Sequence, residues 1–231
     1  MIHPSDFEVL TFDCYGTLVD WETGIFGALQ PVLRSHGKSL PDADLLALYG
    51  EFEAEAEDAP YTSYREVLAS VMNQFGDHLG FVPSSKEIHA LSSSLPNWQP
   101  WPDTIVALRK LQERYRLAVI SNIDDDLFAA TRELLQVNFA HVITAQRAEC
   151  YKPGLAIFQR ALEEIAIPPG QILHIGQSMY HDVRPARALG LSTVWVNRPS
   201  PRKNVGAVRR ADGVPDLEVG DMKGLADILL A

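Results

Sequence analysis

Asp13 follows an apolar run, Val9-Leu10-Thr11-Phe12, and leads into Cys14-Tyr15-Gly16-Thr17. A carboxylate delivered by a buried strand into a tight, glycine-containing loop lies where open α/β sheets bind ligands, outside the carboxyl ends of the strands. Ser121-Asn122 closes a second apolar run. There a hydroxyl, an amide and backbone N–H groups can meet an anion, although Ser-Asn is also ordinary turn chemistry. His181 offers an imidazole that titrates near neutrality and suits water activation; a solvent-facing histidine at a helix start is the alternative. Taken singly, Thr17 reads as a turn or helix cap, Lys152 as an exposed lysine before a Pro-initiated helix, and Asp182 as a helix N-terminal carboxylate.

The chain has 231 residues, 46% hydrophobic and 22% charged, with a formal net charge of −10. It can bury a real core, as one domain with an insertion or two modest domains. Its acidity argues against nucleic acid or an anionic membrane as partner, and an anionic substrate would need local positive potential. Two cysteines, Cys14 and Cys150, argue against a disulfide framework and point to a reducing, cytoplasmic setting. The Cys14 side chain should point away from that of Asp13; both cysteines read as small buried hydrophobes. The stretch Met1-Ile2-His3-Pro4-Ser5-Asp6 lacks the regions of a signal peptide, and no apolar run reaches membrane-spanning length.

Strand-like stretches at Leu117–Ile120, His141–Thr144, Ile172–Ile175, Thr193–Val196 and, more weakly, Asp216–Val219 alternate with helical patterns. The helical patterns cover Thr104–Arg114, Leu127–Leu135, Leu155–Ile165 and Val183–Leu189. This predicts an α/β fold, a Rossmann-like parallel sheet with helices on both faces. Right-handed crossovers put every strand's carboxyl end on one edge. Residues 21–98 break the alternation with helices expected at Thr23–His36, Asp42–Asp58, Ser63–Leu79 and Ser84–Leu91, Asp42 and Ser63 serving as caps. The expected division is a catalytic core, 1–20 and 99–231, carrying an all-helical cap, 21–98. Asn97–Asp103 is the return hinge, in which Trp98 and Trp101 would help seal the cap. Arg198–Gly213, rich in Pro, Arg and Gly, reads as an exposed loop.

Four segments in order resemble the signatures of the haloacid dehalogenase superfamily over nearly the whole chain: Asp13-Cys14-Tyr15-Gly16-Thr17, Ser121-Asn122, Lys152-Pro153 and Gly176-Gln177-Ser178-Met179-Tyr180-His181-Asp182. The resemblance implies that Asp13 is a nucleophile forming a covalent intermediate, which splits one hard displacement into two easier steps. Most members are magnesium phosphatases with an Asp two residues after the nucleophile and another directly after the glycine of the last segment. Here those positions are Tyr15 and Gln177. Magnesium prefers hard, charged oxygens. The pattern with Tyr15 is instead similar to the L-2-haloacid dehalogenases, which work without metal or other cofactor. They displace halide from C2 of a 2-haloalkanoate, and water then releases a 2-hydroxy acid.

On that resemblance Thr17 orients Asp13, while Lys152 lies beside Asp13 and Asp182 and neutralises them and an arriving anion. An ion pair at ~4 Å gains roughly 4 kcal/mol at an effective dielectric near ~20 before desolvation, enough to hold Asp13 ionised. Asp182 anchors Lys152 and helps place the hydrolytic water, as His181 would. Ser121 and Asn122 meet the substrate carboxylate, Ser178 bonds the nucleophile or water, and Tyr15 supplies a wall and its backbone N–H. The chain also departs from the dehalogenases. Their early cap arginine has no counterpart in Leu48-Tyr49-Gly50-Glu51-Phe52-Glu53, which leaves Arg65 as a candidate replacement or a solvated helix residue. Their tyrosine after the Lys-Pro pair falls near Phe158. Ser178-Met179-Tyr180-His181-Asp182 and Asp20-Trp21-Glu22-Thr23-Gly24 resemble azetidine-2-carboxylate hydrolase and its relatives, which open a strained ring at a carbon bearing a carboxylate. A small anionic carboxylate is the expected substrate, with the leaving group open. A magnesium phosphatase and a non-catalytic binding protein are the alternatives. Dimers are common among the dehalogenases, so a homodimer is compatible with the resemblance.

Overall fold

The computed structural model describes residues 2–198, 207 and 211–231. Strand β1 (Val9–Phe12) is buried at every position, as an apolar run covered on both faces must be. It joins β2 (Arg116–Ser121), β3 (His141–Thr144), β4 (Ile172–Gly176), β5 (Ser192–Val196) and β6 (Leu217–Val219) in one sheet of order β3-β2-β1-β4-β5-β6. Every pair is parallel, which is the Rossmann-like sheet expected. The order reverses between β1 and β4, so the connections leave in opposite directions and a crevice opens at their carboxyl ends. Phe12 lies level with Val119 of β2 and Ile175 of β4. Asp13, Ser121 and Gln177 therefore emerge on the same edge.

Between β1 and β2 the chain is helical: α1 (Trp21–Ser35), α2 (Asp42–Glu57), α3 (Tyr64–Leu79), α4 (Ser85–Ile88) and α5 (Ala90–Ser94). Ser63 caps α3 in a reciprocal box with Glu66, each side chain satisfying an otherwise unpaired N–H. Asp42 does not cap α2; it is the first helical residue behind Pro41, and no side chain caps that end. The single helix expected over Ser84–Leu91 breaks at His89, whose φ of −97° and ψ of 8° end α4. The remaining helices are α6 (Thr104–Leu111), α7 (Asp125–Leu135), α8 (Ala145–Ala148), α9 (Leu155–Ile165), α10 (Arg184–Ala188) and α11 (Met222–Leu229). A wide π turn, Met179–Val183, precedes α10. No helix among the described residues is long and apolar enough to cross a membrane.

Two paired segments connect the helical block to the sheet. Trp101 N donates to Leu18 O at 3.0 Å and Asp20 N to Gln99 O at 2.9 Å, while the Trp101 indole donates to Gly16 O at 3.2 Å. Asp124, after β2, makes a second tie by accepting the N–H groups of Tyr64 and Arg65 at 2.9 and 3.0 Å. Those donors are orphans of the first turn of α3. The Tyr151 hydroxyl adds a bond to Thr62 O at 2.8 Å.

Most of the loop expected over 198–213 lies outside the described residues. Its first residue is not exposed: Arg198 holds Asp103 at 3.0 Å and lies over the Trp101 ring. Ala207 is also buried. The Trp98 ring meets Tyr15 edge-on and covers Gly24 so closely that a Cβ there would run into the indole. Gly24→Ala should therefore cost about 1–3 kcal/mol through overpacking, read as a lower urea midpoint. An unchanged midpoint would mean that the hinge ring is not seated on α1 as described.

Candidate active site

Lys152 is 2% exposed and its ammonium bridges two carboxylates, Asp13 Oδ1 at 2.8 Å and Asp182 Oδ1 at 2.7 Å. Its third donor goes to Ile120 O at 3.0 Å. An ammonium has three donors, so this one is fully committed. The Thr17 hydroxyl accepts from Gln177 N at 2.8 Å and donates to Asp13 Oδ2 at 2.6 Å. The acceptor role fixes where its proton points. Gly16, at φ +94°, makes the turn that brings Thr17 back, in a space where a Cβ would meet Gln177 and Trp21. Only glycine takes that conformation without strain.

Burial disfavours the charge on Lys152, but Asp13 and Asp182 outweigh it and hold the ammonium firmly protonated. Burial likewise opposes ionisation of Asp182, yet Lys152 and His174 keep its carboxyl well below the usual range. Asp13 goes the other way. Burial, with help from Asp182, raises its carboxyl above the ordinary value against the pull of Lys152 and Thr17. This corrects the expectation that Lys152 alone secures the ionised form, because one ammonium is shared by two carboxylates. Asp13 is consequently the more basic of the pair.

The cavity in front of Asp13 measures about 50 Å³, and a single water needs roughly 10–15 Å³ on a comparable measure. It holds a molecule of few heavy atoms. Of the residues singled out in the sequence, Asp13, Tyr15, Ser121, Asn122, Lys152, Ser178, His181 and Asp182 line it. Their roles are distributed differently. Asn122 is a clamp: its amide accepts from Lys152 N at 2.7 Å and donates to Lys152 O at 3.1 Å and to Glu57 at 3.2 Å. Ser178 Oγ accepts from His181 N at 2.9 Å and lies 3.3 Å from its Nδ1, so it orders the π turn rather than bonding Asp13. Asp182 is buried, with Lys152 and His174 on Oδ1 and Ser178 N on Oδ2; it anchors Lys152. The Tyr15 hydroxyl turns to Thr131 at 2.8 Å, leaving its ring as wall. Ser121 Oγ is buried without a hydrogen-bond partner.

Arg65 is not in the site. Its guanidinium pairs with Asp126 at 2.5 Å on the surface, with 45% of the side chain exposed, and Asp124 holds its backbone N–H in the first turn of α3. Phe158 is buried against the His174 ring, away from the cavity. Cys14 is buried and its thiol is pushed well up by burial. Cys150 is half-buried and lines a neighbouring cavity. Three functional positions went unpredicted. His174, on β4, stands between Thr11 at 2.9 Å and Asp182 at 3.3 Å; the signal was an imidazole inside a run buried throughout. Glu53 and Glu57 from α2 form the opposite wall. Burial pushes the Glu53 carboxyl up to about 7 against bonds from Tyr64 and Tyr49. Burial and Glu53 raise Glu57 well above its ordinary range.

A divalent cation does not fit this donor set. Lys152 occupies the space between the two aspartates, Tyr15 and Gln177 stand where further carboxylates would be needed, and no group of three or more His, Cys, Asp or Glu among the described residues is placed to hold a metal. A family model for haloacid dehalogenase-like hydrolases matches residues 7–190. The chain belongs to that family. It is 26% identical to the (S)-2-haloacid dehalogenase H-109 of Pseudomonas putida, over 96% of this chain and 98% of the relative. The L-2-haloacid dehalogenase of Xanthobacter autotrophicus, solved with chloropropionic acid covalently bound, superposes with a TM-score of 0.82 at 18% identity, covering 97% and 98% of the two chains. The HAD-hydrolase YfnB of Bacillus subtilis, bound to magnesium, superposes with a TM-score of 0.78 at 20% identity over 97% and 99%. The fold is thus common to a dehalogenase and a magnesium-bound hydrolase, and the side chains must separate the chemistries.

In this hydrolase the raised Glu53 carboxyl has a consequence for folding. Between its ordinary 4.5 and about 7 the native chain keeps a proton that the unfolded chain has lost. Stability must fall as pH rises through that window. Denaturant titrations of Glu53→Gln should show a shallower fall than wild type. Parallel curves would place the raised proton elsewhere.

Proposed function

We infer that this hydrolase acts on small 2-substituted carboxylic acids by metal-independent covalent displacement. The observation that carries the reading is Asp13: a basic carboxylate, oriented by Thr17 and Lys152, facing a small cavity with no group of three or more metal-ligating side chains among the described residues. Asp13 Oδ attacks C2, the C2 substituent leaves with its bonding electrons, and an ester joins Asp13 to the substrate. Water then attacks the Asp13 carbonyl carbon, cleaving the acyl–oxygen bond. A 2-hydroxy acid departs and the carboxylate is restored. His181, which borders the cavity, is the base within the site for that water, while Asp182 is engaged with Lys152 and His174. The covalently bound chloropropionic acid of the Xanthobacter relative supports this order of events. The phenol of Tyr15, tied to Thr131, supports displacement without an acid at the position that phosphatases reserve for one.

The test is turnover of short L-2-halo acids, beside azetidine-2-carboxylate, with EDTA present. Halide or 2-hydroxy acid release under EDTA is expected. Hydrolysis of p-nitrophenyl phosphate that EDTA abolishes, with no turnover of the carboxylic acids, would instead establish a magnesium phosphatase. Asp13→Asn should lower kcat by several orders of magnitude because the covalent step is gone. Lys152→Met should cost about 10²–10³-fold, as for loss of a single preorganised electrostatic contact. Near-wild-type kcat/KM in that variant would refute the role given to the ammonium. The acid limb of the pH–rate profile should lie above 3.8, because the Asp13 carboxyl is raised from that value; a limb below 3.8 would contradict the assignment.

A further inference from the structure

The charged residues that line the site are mostly acidic. Four carboxyl groups, Asp13, Glu53, Glu57 and Asp182, line the cavity, and Lys152 is the one lysine or arginine among its described lining residues. That ammonium has no donor to spare. Glu53 receives hydrogen bonds from Tyr64 at 2.6 Å and Tyr49 at 2.8 Å, both on Oε1, which leaves Oε2 for an occupant of the cavity. Glu57 is held by the Asn122 amide at 3.2 Å. It also lines a larger neighbouring cavity of about 330 Å³, which shares Lys152 and His181 with the inner one and adds Asp58 and Glu149.

A second observation points to a ligand at the same place. Ser121 Oγ is 1% exposed as a residue, lines the inner cavity and has no hydrogen-bond partner. A buried hydroxyl left unpaired is costly, and a bound carboxylate would satisfy it. A buried carboxylate is likewise costly until a cation joins it, and both cap glutamates are pushed towards their neutral forms in the absence of one. We propose that Glu53 and Glu57 form a subsite for a protonated nitrogen, so that the substrate is a small zwitterion, a 2-substituted carboxylate that also carries an ammonium group. The carboxylate then meets Ser121 and the backbone N–H groups beside it, and the nitrogen lies against the glutamates. This rests on the function inferred above for the same cavity, and it makes α2 the element that selects the substrate.

Matched ligands that differ only in the charged nitrogen test it. Isothermal titration of the full chain at pH 7.5 compares L-alanine with L-lactate, and L-proline with (S)-tetrahydrofuran-2-carboxylate. The amine should bind at least about tenfold tighter in one pair or both, and Glu53→Gln/Glu57→Gln should erase that preference. Glutamine keeps a hydrogen-bond donor while losing the charge, so glutamates acting as neutral donors would leave the oxygen ligands as good or better in both pairs. That result would overturn the proposal, as would an amine preference that survives in the double variant. Circular dichroism checks the fold; if the double variant does not fold, Glu57→Gln alone must reduce the preference at least about threefold, and an undiminished preference overturns it. Covalent hydrolysis by Asp13 is read separately under EDTA, so either reading can fail without the other.

Discussion

The Lys152 ammonium, set between Asp13 and Asp182 at 2.8 and 2.7 Å, constrains nearly every other choice in the molecule. Three charges are withdrawn from water together, and their sum is one negative unit. Such a cluster is not a source of stability in itself, since desolvation offsets most of the Coulombic gain. Its value is geometric. The excess charge has to reside somewhere, and the surroundings place it on Asp13. Asp182 is quenched by His174 and Ser178 N, whereas Asp13 faces the cavity.

The sheet supplies the rest of the arrangement. Parallel strands whose order reverses between β1 and β4 bring the ends of three different strands within a residue or two of one level. Each then contributes one group: the Asp13 carboxylate after β1, the unpaired hydroxyl of Ser121 at the end of β2, and the Gln177 N–H that orients Thr17 after β4. Asn122 couples two of these, since its amide closes on both backbone groups of Lys152. The lysine is therefore placed by a loop–loop clamp rather than by its own flexible stem. That is how a side chain rich in rotamers becomes a fixed charge.

The helical block is more than a lid. Asp124 fixes the start of α3 and Trp101 fixes the hinge, and between these ties α2 presents Glu53 and Glu57 to the cavity that Asp13 lines. Membership in the haloacid dehalogenase-like hydrolases rests on the match over residues 7–190, and the fold is shared with a dehalogenase and with a magnesium-bound hydrolase. The α2 wall is what makes this cavity acidic, and specificity must be sought there.

The parallel sheet and the helical insertion were legible in the apolar runs, and the set Asp13, Thr17, Lys152 and Asp182 in the family signatures, whereas the strand order was not. Apolar runs that end in reactive groups carry their own period and punctuation, and the signatures fall in order along the chain. Local chemistry also gave the Ser63 cap, where donor and acceptor lie three residues apart. What the sequence could not decide is which partner each polar group finds across long separations. Asn122 clamps Lys152 from 30 residues away, His174 bonds Asp182, and Arg65 turns to Asp126, 61 residues off. The same limit hid Glu53 and Glu57: two glutamates at helical spacing look like a solvated face until packing turns that face inward. Burial and charge pairing, not residue type, set the proton affinity of Asp13, and those belong to the tertiary structure.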